Sequence, residues 1–219
     1  MSNIIKPIFA GLLCLAFASC KKDAVNENGI ISQSNAVPAV NGSYYPYNNG
    51  SKYTYVDSTS GGSTITKSAI TISGDTTIDG KTFSKAAAIG NSTYYNNSAE
   101  GVTTLITYNG EDKQITTVLK ANEPVGTVWK DVFSNAGVPA TYEWKIVAKG
   151  IDKTVQGVNY SNVIQVHMLG SAEVPVLGKV VFANSDYYYA PNIGLIEHIA
   201  YNPATGKTEL HRELQKSAL

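Results

Sequence analysis

Cysteine is scarce in this sequence, and both copies lie near its beginning. The 219 residues include two cysteines, Cys14 and Cys20. A domain built from the residues after Cys20 therefore contains no disulfide, no thiolate metal site and no cysteine nucleophile. Its stability has to come from the packing of its own core.

Charge and catalytic motifs are also sparse. Charged residues make up 16% of the chain, and 17 basic residues balance 17 acidic ones. Without a basic stripe to neutralise phosphates, we predict no nucleic-acid partner. The sequence has no G-x-S-x-G elbow, and its few acids do not form an evident pair across a cleft. We therefore predict no cofactor and a protein that is not an enzyme.

One long hydrophobic run is present, at the N-terminus. Lys6 precedes an apolar stretch over Pro7–Phe17, and two small residues then lead to Cys20. This length is typical of a secretory signal and is too short for a membrane-spanning helix. We predict that residues 1–19 are a signal peptide and that cleavage leaves Cys20 as the first residue.

The run Phe17-Ala18-Ser19-Cys20 resembles a bacterial lipobox, with Phe17 in place of the usual leucine. With Phe17 at this position and the continuation Cys20-Lys21-Lys22-Asp23, the segment resembles the N-termini of Bacteroidota lipoproteins. The resemblance implies a diacylglyceryl group on the Cys20 thiol, acyl chains such as palmitate, and attachment to the outer membrane in its periplasmic or cell-surface leaflet. Because each buried CH₂ contributes about 0.8 kcal/mol, two or three chains would make the attachment stable.

Residues 20–42 are predicted to be the lipidated Cys20 followed by a flexible tether. The 22 residues after Cys20 mix lysine, aspartate, asparagine, serine and glycine without a sustained period. A flexible coil of this length spans on the order of 25 Å. The tether would hold a domain formed by residues 43–219 clear of the lipid headgroups.

Period-two alternation dominates from residue 43 onward. In 141–148, Tyr142, Trp144 and Ile146 alternate with polar residues, and 158–168 shows the same pattern. Such alternation, interrupted by Asn-Gly, Asp-Gly and similar turn pairs, indicates half-buried antiparallel strands. We predict an all-β domain in which about 11–12 strands form a single curved antiparallel sheet, a half-barrel or barrel. A short helix within 127–136 is the one helical piece that the pattern allows.

The domain also shows a weak internal repeat. The segment 50–54 is similar to 126–130, and 77–84 is similar to 154–161, at offsets of 76 and 77. Two motifs in the same order at nearly the same spacing indicate a duplicated unit. We predict two related halves, 44–120 and 121–215.

Four pieces of the domain resemble a broad group of Bacteroidota lipoproteins without an established activity. These pieces include Gly50-Ser51-Lys52-Tyr53-Thr54-Tyr55 and Tyr189-Ala190-Pro191-Asn192-Ile193-Gly194-Leu195-Ile196. By looser analogy, such domains are similar to the curved sheets of LolA-like lipoprotein carriers, which implies a concave face that accepts acyl chains.

The last hairpin holds the one metal-like arrangement in the sequence. If Asn202 and Lys207 close a four-residue loop, His198 lies opposite His211 on one face of the hairpin. The same register places the remaining carboxylates of that face at Glu209 and Glu213. Two imidazoles and two carboxylates are suitable zinc ligands. The simpler interpretation, which we favour, is a solvated polar face without a metal.

Tyrosine is abundant, with 14 copies that include runs at 44–47, 94–95 and 187–189. Consecutive tyrosines in a strand point to both faces, so some of them could form an exposed platform for sugar rings or peptide. We favour buried rings with solvated hydroxyl groups.

Two segments, 57–59 and 75–77, resemble the short Asp-Ser/Thr signal for O-glycosylation in Bacteroidota.

Together these features predict a lipid-anchored cell-envelope protein that acts as a non-enzymatic binding or structural module. Its partners would be the membrane, through the lipid anchor, and a lipid, a glycan or another envelope protein. The alternative is an envelope hydrolase or a glycan-binding protein whose site carries no recognisable motif.

Overall fold

The computed structural model describes residues 43–59, 64–88, 91–109, 112–135 and 138–218, and these residues contain twelve β-strands. The signal peptide, Cys20 and the tether lie outside the described residues. The strands are β1 Lys52–Thr59, β2 Ile65–Ile78, β3 Lys81–Ala88, β4 Asn91–Asn97, β5 Val102–Asn109, β6 Asp112–Lys120, β7 Val128–Asn135, β8 Val138–Val155, β9 Val158–Val174, β10 Gly178–Ala190, β11 Gly194–Tyr201 and β12 Thr208–Ala218. Across this part of the chain we find no helix that could cross a membrane.

All twelve strands belong to one sheet, in the order β6-β5-β4-β3-β2-β1-β12-β11-β10-β9-β8-β7. Every neighbouring pair is antiparallel, and β1 pairs with β12 to join the two ends of the described chain. The sheet curls into a nearly closed barrel. The prediction of a single curved antiparallel sheet of about 11–12 strands is confirmed.

The short helix expected within 127–136 is wrong. Residues Val128–Asn135 form strand β7, which pairs with β8 along its whole length. Trp129 lies opposite Trp144 in this ladder, and their rings stack with centroids 6.3 Å apart. Burial of two indoles against each other outweighs any local preference of this segment for a helix.

The barrel is completed by side chains where its two edge strands meet. The Trp129 indole N–H of β7 donates to the Thr117 carbonyl of β6 at 2.7 Å. The Thr117 N–H in turn donates to Oδ2 of Asp131 at 3.0 Å. These bonds satisfy backbone groups that an open edge strand would leave free for pairing with another chain.

The two repeat motifs have matching backbone geometry. Gly50 and Gly126 both have φ near 91°, and each donates its N–H to a strand isoleucine carbonyl, that of Ile72 or Ile146, at 2.9 Å. The hairpin turns 79–80 and 156–157 also match, with positive φ at both residues of each. Such turns suit the twist of the flanking strands. A common origin of the two whole halves stays a prediction, which superposition of their strands would test.

Residues 43–48 precede the first strand and place tyrosine rings inside the barrel. The ring centroid of Tyr45 lies 5.6 Å from that of Tyr95 in β4 and 5.2 Å from that of Tyr189 in β10. Five strands separate β4 from β10 in the sheet. A single side chain can contact both only because the sheet curls around it. We call residues 43–48 the plug.

Candidate functional site

The last hairpin differs from its predicted register by one residue. Its loop closes as expected, with the Asn202 N–H donating to the Lys207 carbonyl at 2.8 Å. A β-bulge between Ala200 and Tyr201 then shifts the ladder, so that His198 pairs with Arg212 rather than with His211. Because strand side chains alternate between faces, a shift of one residue separates the two imidazoles.

The predicted set of His198, His211, Glu209 and Glu213 is therefore not brought together. His198 lies inside the barrel, where its ring stacks on Tyr187 at 4.3 Å. Glu209 is exposed and accepts a hydrogen bond from the Asn202 amide. Sequence reasoning missed the bulge because neither flanking residue is a glycine that would have marked it.

A different cluster forms on the outer face of the hairpin. Glu197 of β11 pairs with Glu213 of β12, and His211 approaches both of them. Nε2 of His211 lies 2.9 Å from Oε1 of Glu197, and one ligand atom from each of the three residues lies within 4.8 Å of the others. His211 and Glu213 were predicted to share a face, and Glu197 replaces His198 and Glu209 beside them.

The tip of the β8–β9 hairpin covers this cluster. Three irregularities in its ladder, between Ile146 and Lys153, interrupt the regular pairing of the hairpin. Lys153 then places its ammonium 2.5 Å from Oε2 of Glu197, and the Gln156 amide donates to Oε2 of Glu213 at 2.7 Å. As a result Glu197, although on the outer face, is only 4% exposed.

A second outer cluster lies on β9, β10 and β11. Nδ1 of His167 is 2.9 Å from Oδ1 of Asp186, and the Tyr201 hydroxyl donates to the other carboxylate oxygen at 3.0 Å. Burial alone would raise the pKa of Asp186, but the hydrogen bonds from His167 and Tyr201 outweigh it and lower that pKa. Asp186 is thus an anion held by two donors.

A buried ion pair lies inside the barrel. Asp57 of β1 accepts two hydrogen bonds from the Arg212 guanidinium, at 2.7 and 2.8 Å, and both side chains are more than nine-tenths buried. The Ser68 hydroxyl donates to Oδ2 of Asp57 at 3.0 Å. Asp57 is thus a buried residue, whereas the glycosylation that its segment's resemblance implies, at the neighbouring Ser58 or Thr59, stays a prediction.

His198, beside this ion pair, is held in its neutral form. Its Nε2 is buried without a hydrogen-bond partner. Burial, reinforced by the nearby Arg212 charge, lowers the pKa of His198 to about 3. In the described part of the chain no serine hydroxyl hydrogen-bonds to an imidazole ring, so the interior set of Ser68, Asp57 and His198 lacks the nucleophile–base bond of a hydrolase.

We expect His198 to make the folded state acid-sensitive. The unfolded chain binds a proton at this residue below about pH 6.5, whereas the folded chain does so only near pH 3. The unfolded state therefore binds more protons between these values, and the free energy of unfolding falls as the pH drops through this window. Urea unfolding of wild type and His198→Leu between pH 4 and 7 measures this. The variant should lose less stability per pH unit, and equal slopes would contradict the assignment.

Most of the tyrosines in these runs belong to a buried network rather than an exposed platform, whereas Tyr94 packs edge to face against Tyr108, which is 46% exposed. Contacts between ring centroids at 4.8–6.4 Å connect the plug to both halves of the sheet. The network comprises Tyr45, Tyr47, Tyr53, Tyr95, Tyr142, Trp144, Tyr187 and Tyr189. Tyr188 faces outward but is covered by Lys153, whose ammonium lies 3.9 Å from its ring centroid. These rings are therefore not available as a surface for sugars, and several hydroxyl groups are buried with them.

The outer surface carries a shallow depression with about 210 Å³ of space between β7 and β10. An exposed ion pair, Lys130 to Glu143 at 2.9 Å, lies at its wall. Its other lining residues are Pro139, Thr141, Leu169, Ser171, Ala172, Glu173 and Lys179. The depression contains no histidine and no aromatic ring, and it offers few features for a specific small ligand.

Comparison with protein-family models and with curated proteins returns no match. Two solved structures are similar in fold. One, from Bacteroides fragilis, is described as an exported protein with a YmcC-like fold; it is 11% identical, covers 81% of this chain and 100% of its own, and has a TM-score of 0.44. The other, described as a lipoprotein from Parabacteroides distasonis, is 9% identical, covers 81% of this chain and 99% of its own, and has a TM-score of 0.47.

Proposed function

We propose that this protein is a lipid-anchored cell-envelope protein, attached to the outer membrane through Cys20, whose β-domain is a non-enzymatic binding or structural module. The observation that supports a binding or structural module is the packing of aromatic rings inside the barrel. The plug and the network of aromatic rings pack into the core of the barrel, where an enclosed ligand would otherwise bind. A ligand or partner would then meet the outer surface of the sheet.

The anchor is supported by the order of the N-terminal features. The sequence presents a positive residue, an apolar stretch of signal length, small residues and a cysteine in that order. No further cysteine occurs after Cys20. Lipid attachment accounts for that residue without any role in the folded domain. The plug begins at residue 43, directly after the predicted tether, so the tether would connect the membrane anchor to the plug.

Metabolic labelling with a palmitate analogue tests the anchor. We expect label on the wild-type protein, recovery in the membrane fraction, and loss of both in Cys20→Ser. Cys14→Ser is the matched control, because that cysteine leaves with the signal peptide, and it should label like wild type. Absence of label on the wild type would contradict the proposal.

Native mass spectrometry of the detergent-purified protein tests the filled interior. We expect the mass of the lipidated chain without a second, non-covalently enclosed lipid or sugar. A bound molecule that survives detergent exchange at one copy per chain would favour an enclosing carrier over a module that acts through its surface.

A further inference from the structure

The cluster of Glu197, His211 and Glu213 contains an electrostatic conflict. The two glutamates are direct cross-strand partners on β11 and β12. Like charges opposite each other in an antiparallel pair destabilise it. A cation between or beside the carboxylates relieves this repulsion.

Lys153 provides that cation in this conformation, but with imperfect geometry. Its ammonium lies 2.5 Å from Oε2 of Glu197, yet this buried oxygen receives no well-directed hydrogen bond. At this short distance the ammonium neutralises the carboxylate charge even without a directional hydrogen bond. A buried carboxylate held in this way retains lone pairs that a better ligand could use.

We propose that Glu197, His211 and Glu213 form a binding site for one divalent transition-metal ion, and that Lys153 competes with the ion for Glu197. One imidazole and two carboxylates are ligands that suit zinc, cobalt and nickel, whereas calcium and magnesium prefer sites made of oxygen alone. Three protein ligands leave a fourth position for water or for a group from a partner.

The ligands need little movement to reach a metal. Their donor atoms already lie within 4.8 Å of one another, and His211 and Glu213 are two residues apart on the same face of β12. Glu213 uses only Oε2 to accept the Gln156 amide, so that its other oxygen is left for the ion. Imidazole and carboxylate groups therefore converge on one point from two adjacent strands.

Lys153 can withdraw without loss of all its contacts. Its flexible side chain ends 3.9 Å from the centre of the Tyr188 ring, where an ammonium is attracted to the aromatic face. Entry of the ion would break the ion pair between Lys153 and Glu197 and leave the ammonium over the ring. Metal affinity should consequently rise when the ammonium is removed.

Titration of the full-length lipidated protein in detergent, prepared without a histidine tag, tests the site. Zn²⁺ affinity is measured by calorimetry, and Co²⁺ supplies a visible absorption band that reports its ligands. We expect one ion per chain, binding about tenfold tighter in Lys153→Met and about a hundredfold weaker in His211→Ala. His167→Ala is the matched control: its imidazole also touches a carboxylate, but only one, and its affinity should equal that of wild type.

Two outcomes would overturn the proposal. The first is no binding in either the wild type or Lys153→Met. The second is unchanged binding in His211→Ala. If His211→Ala does not fold, Glu213→Gln replaces it, since this partly buried side chain keeps its volume and loses only its charge; unchanged affinity in that variant likewise removes the site.

Discussion

Replacing Asp57 by leucine should destabilise the protein by about 3–5 kcal/mol, because it leaves the Arg212 guanidinium buried without its counter-ion. Both side chains of the pair are less than one-tenth exposed, and two hydrogen bonds join them. The substitution also removes the acceptor of the Ser68 hydroxyl. Arg212→Met should cost a similar amount, since it leaves the carboxylate buried instead.

The double variant Asp57→Leu/Arg212→Met separates the cost of an unpaired charge from the net value of the pair. Replacing a whole buried ion pair by apolar residues of similar volume is often neutral or stabilising. We therefore expect the double variant to recover most of the stability that either single variant loses. A loss equal to the sum of the two single losses would show that the pair itself, with its neighbours, stabilises the fold.

Urea unfolding followed by the fluorescence of Trp129 and Trp144 gives these free energies. Glu143→Ala is the matched control, because it removes an exposed partner of Lys130 in the same barrel. Surface pairs of this kind contribute about 0.2–1 kcal/mol, so this variant should unfold close to wild type. Single interior variants that behave like the control would contradict the role assigned to the buried pair.

The sequence predicted the architecture because alternation is a local signal that every strand carries. Tyr142, Trp144 and Ile146 occupy one face of β8 as the pattern indicates, and all three are buried. Closure into a barrel followed from strand number and twist. The strand over residues 128–135 was not predicted, because no pattern within them indicates that Trp129 stacks on an indole of the next strand.

The candidate site was harder to predict, since it depends on register and on contacts between distant residues. One bulge at Ala200 and Tyr201 moved His198 into the core and Glu197 into the outer cluster. Lys153 reaches that cluster from a hairpin tip 44 residues earlier in the chain, across a bend that the sequence does not specify. Asp57 and Arg212 are 155 residues apart, and no sequence pattern indicates that they form a pair.

The position of Tyr45 was equally hard to predict, because Tyr45 precedes the first strand and no local pattern indicates its contacts with distant rings. In the structure its ring is 5% exposed and contacts Tyr47, Tyr95 and Tyr189. The Tyr45 carbonyl also accepts a hydrogen bond from the Asn97 amide at 2.6 Å. The segment next to the tether is therefore an integral part of the core.

Tyr45→Ala should accordingly destabilise the protein by about 3–5 kcal/mol, the cost of leaving a large cavity in an aromatic core. Tyr44→Ala is the neighbouring control. Tyr44 is half-buried, and its hydroxyl donates to the Asn162 carbonyl at 2.7 Å in an exposed position, so its loss should cost about 1 kcal/mol. Urea unfolding measures both values, and equal losses would contradict the distinction between them.

A shortened chain extends the same argument to the whole plug. A domain that begins at Ser43 keeps every described contact of the plug, whereas one that begins at Gly50 loses the rings of Tyr45 and Tyr47 from the interior. We expect the first to unfold at the urea concentration of the lipidated protein and the second to unfold at a much lower one. If the two chains unfold alike, residues 43–48 merely follow the tether, and the barrel is stable without them.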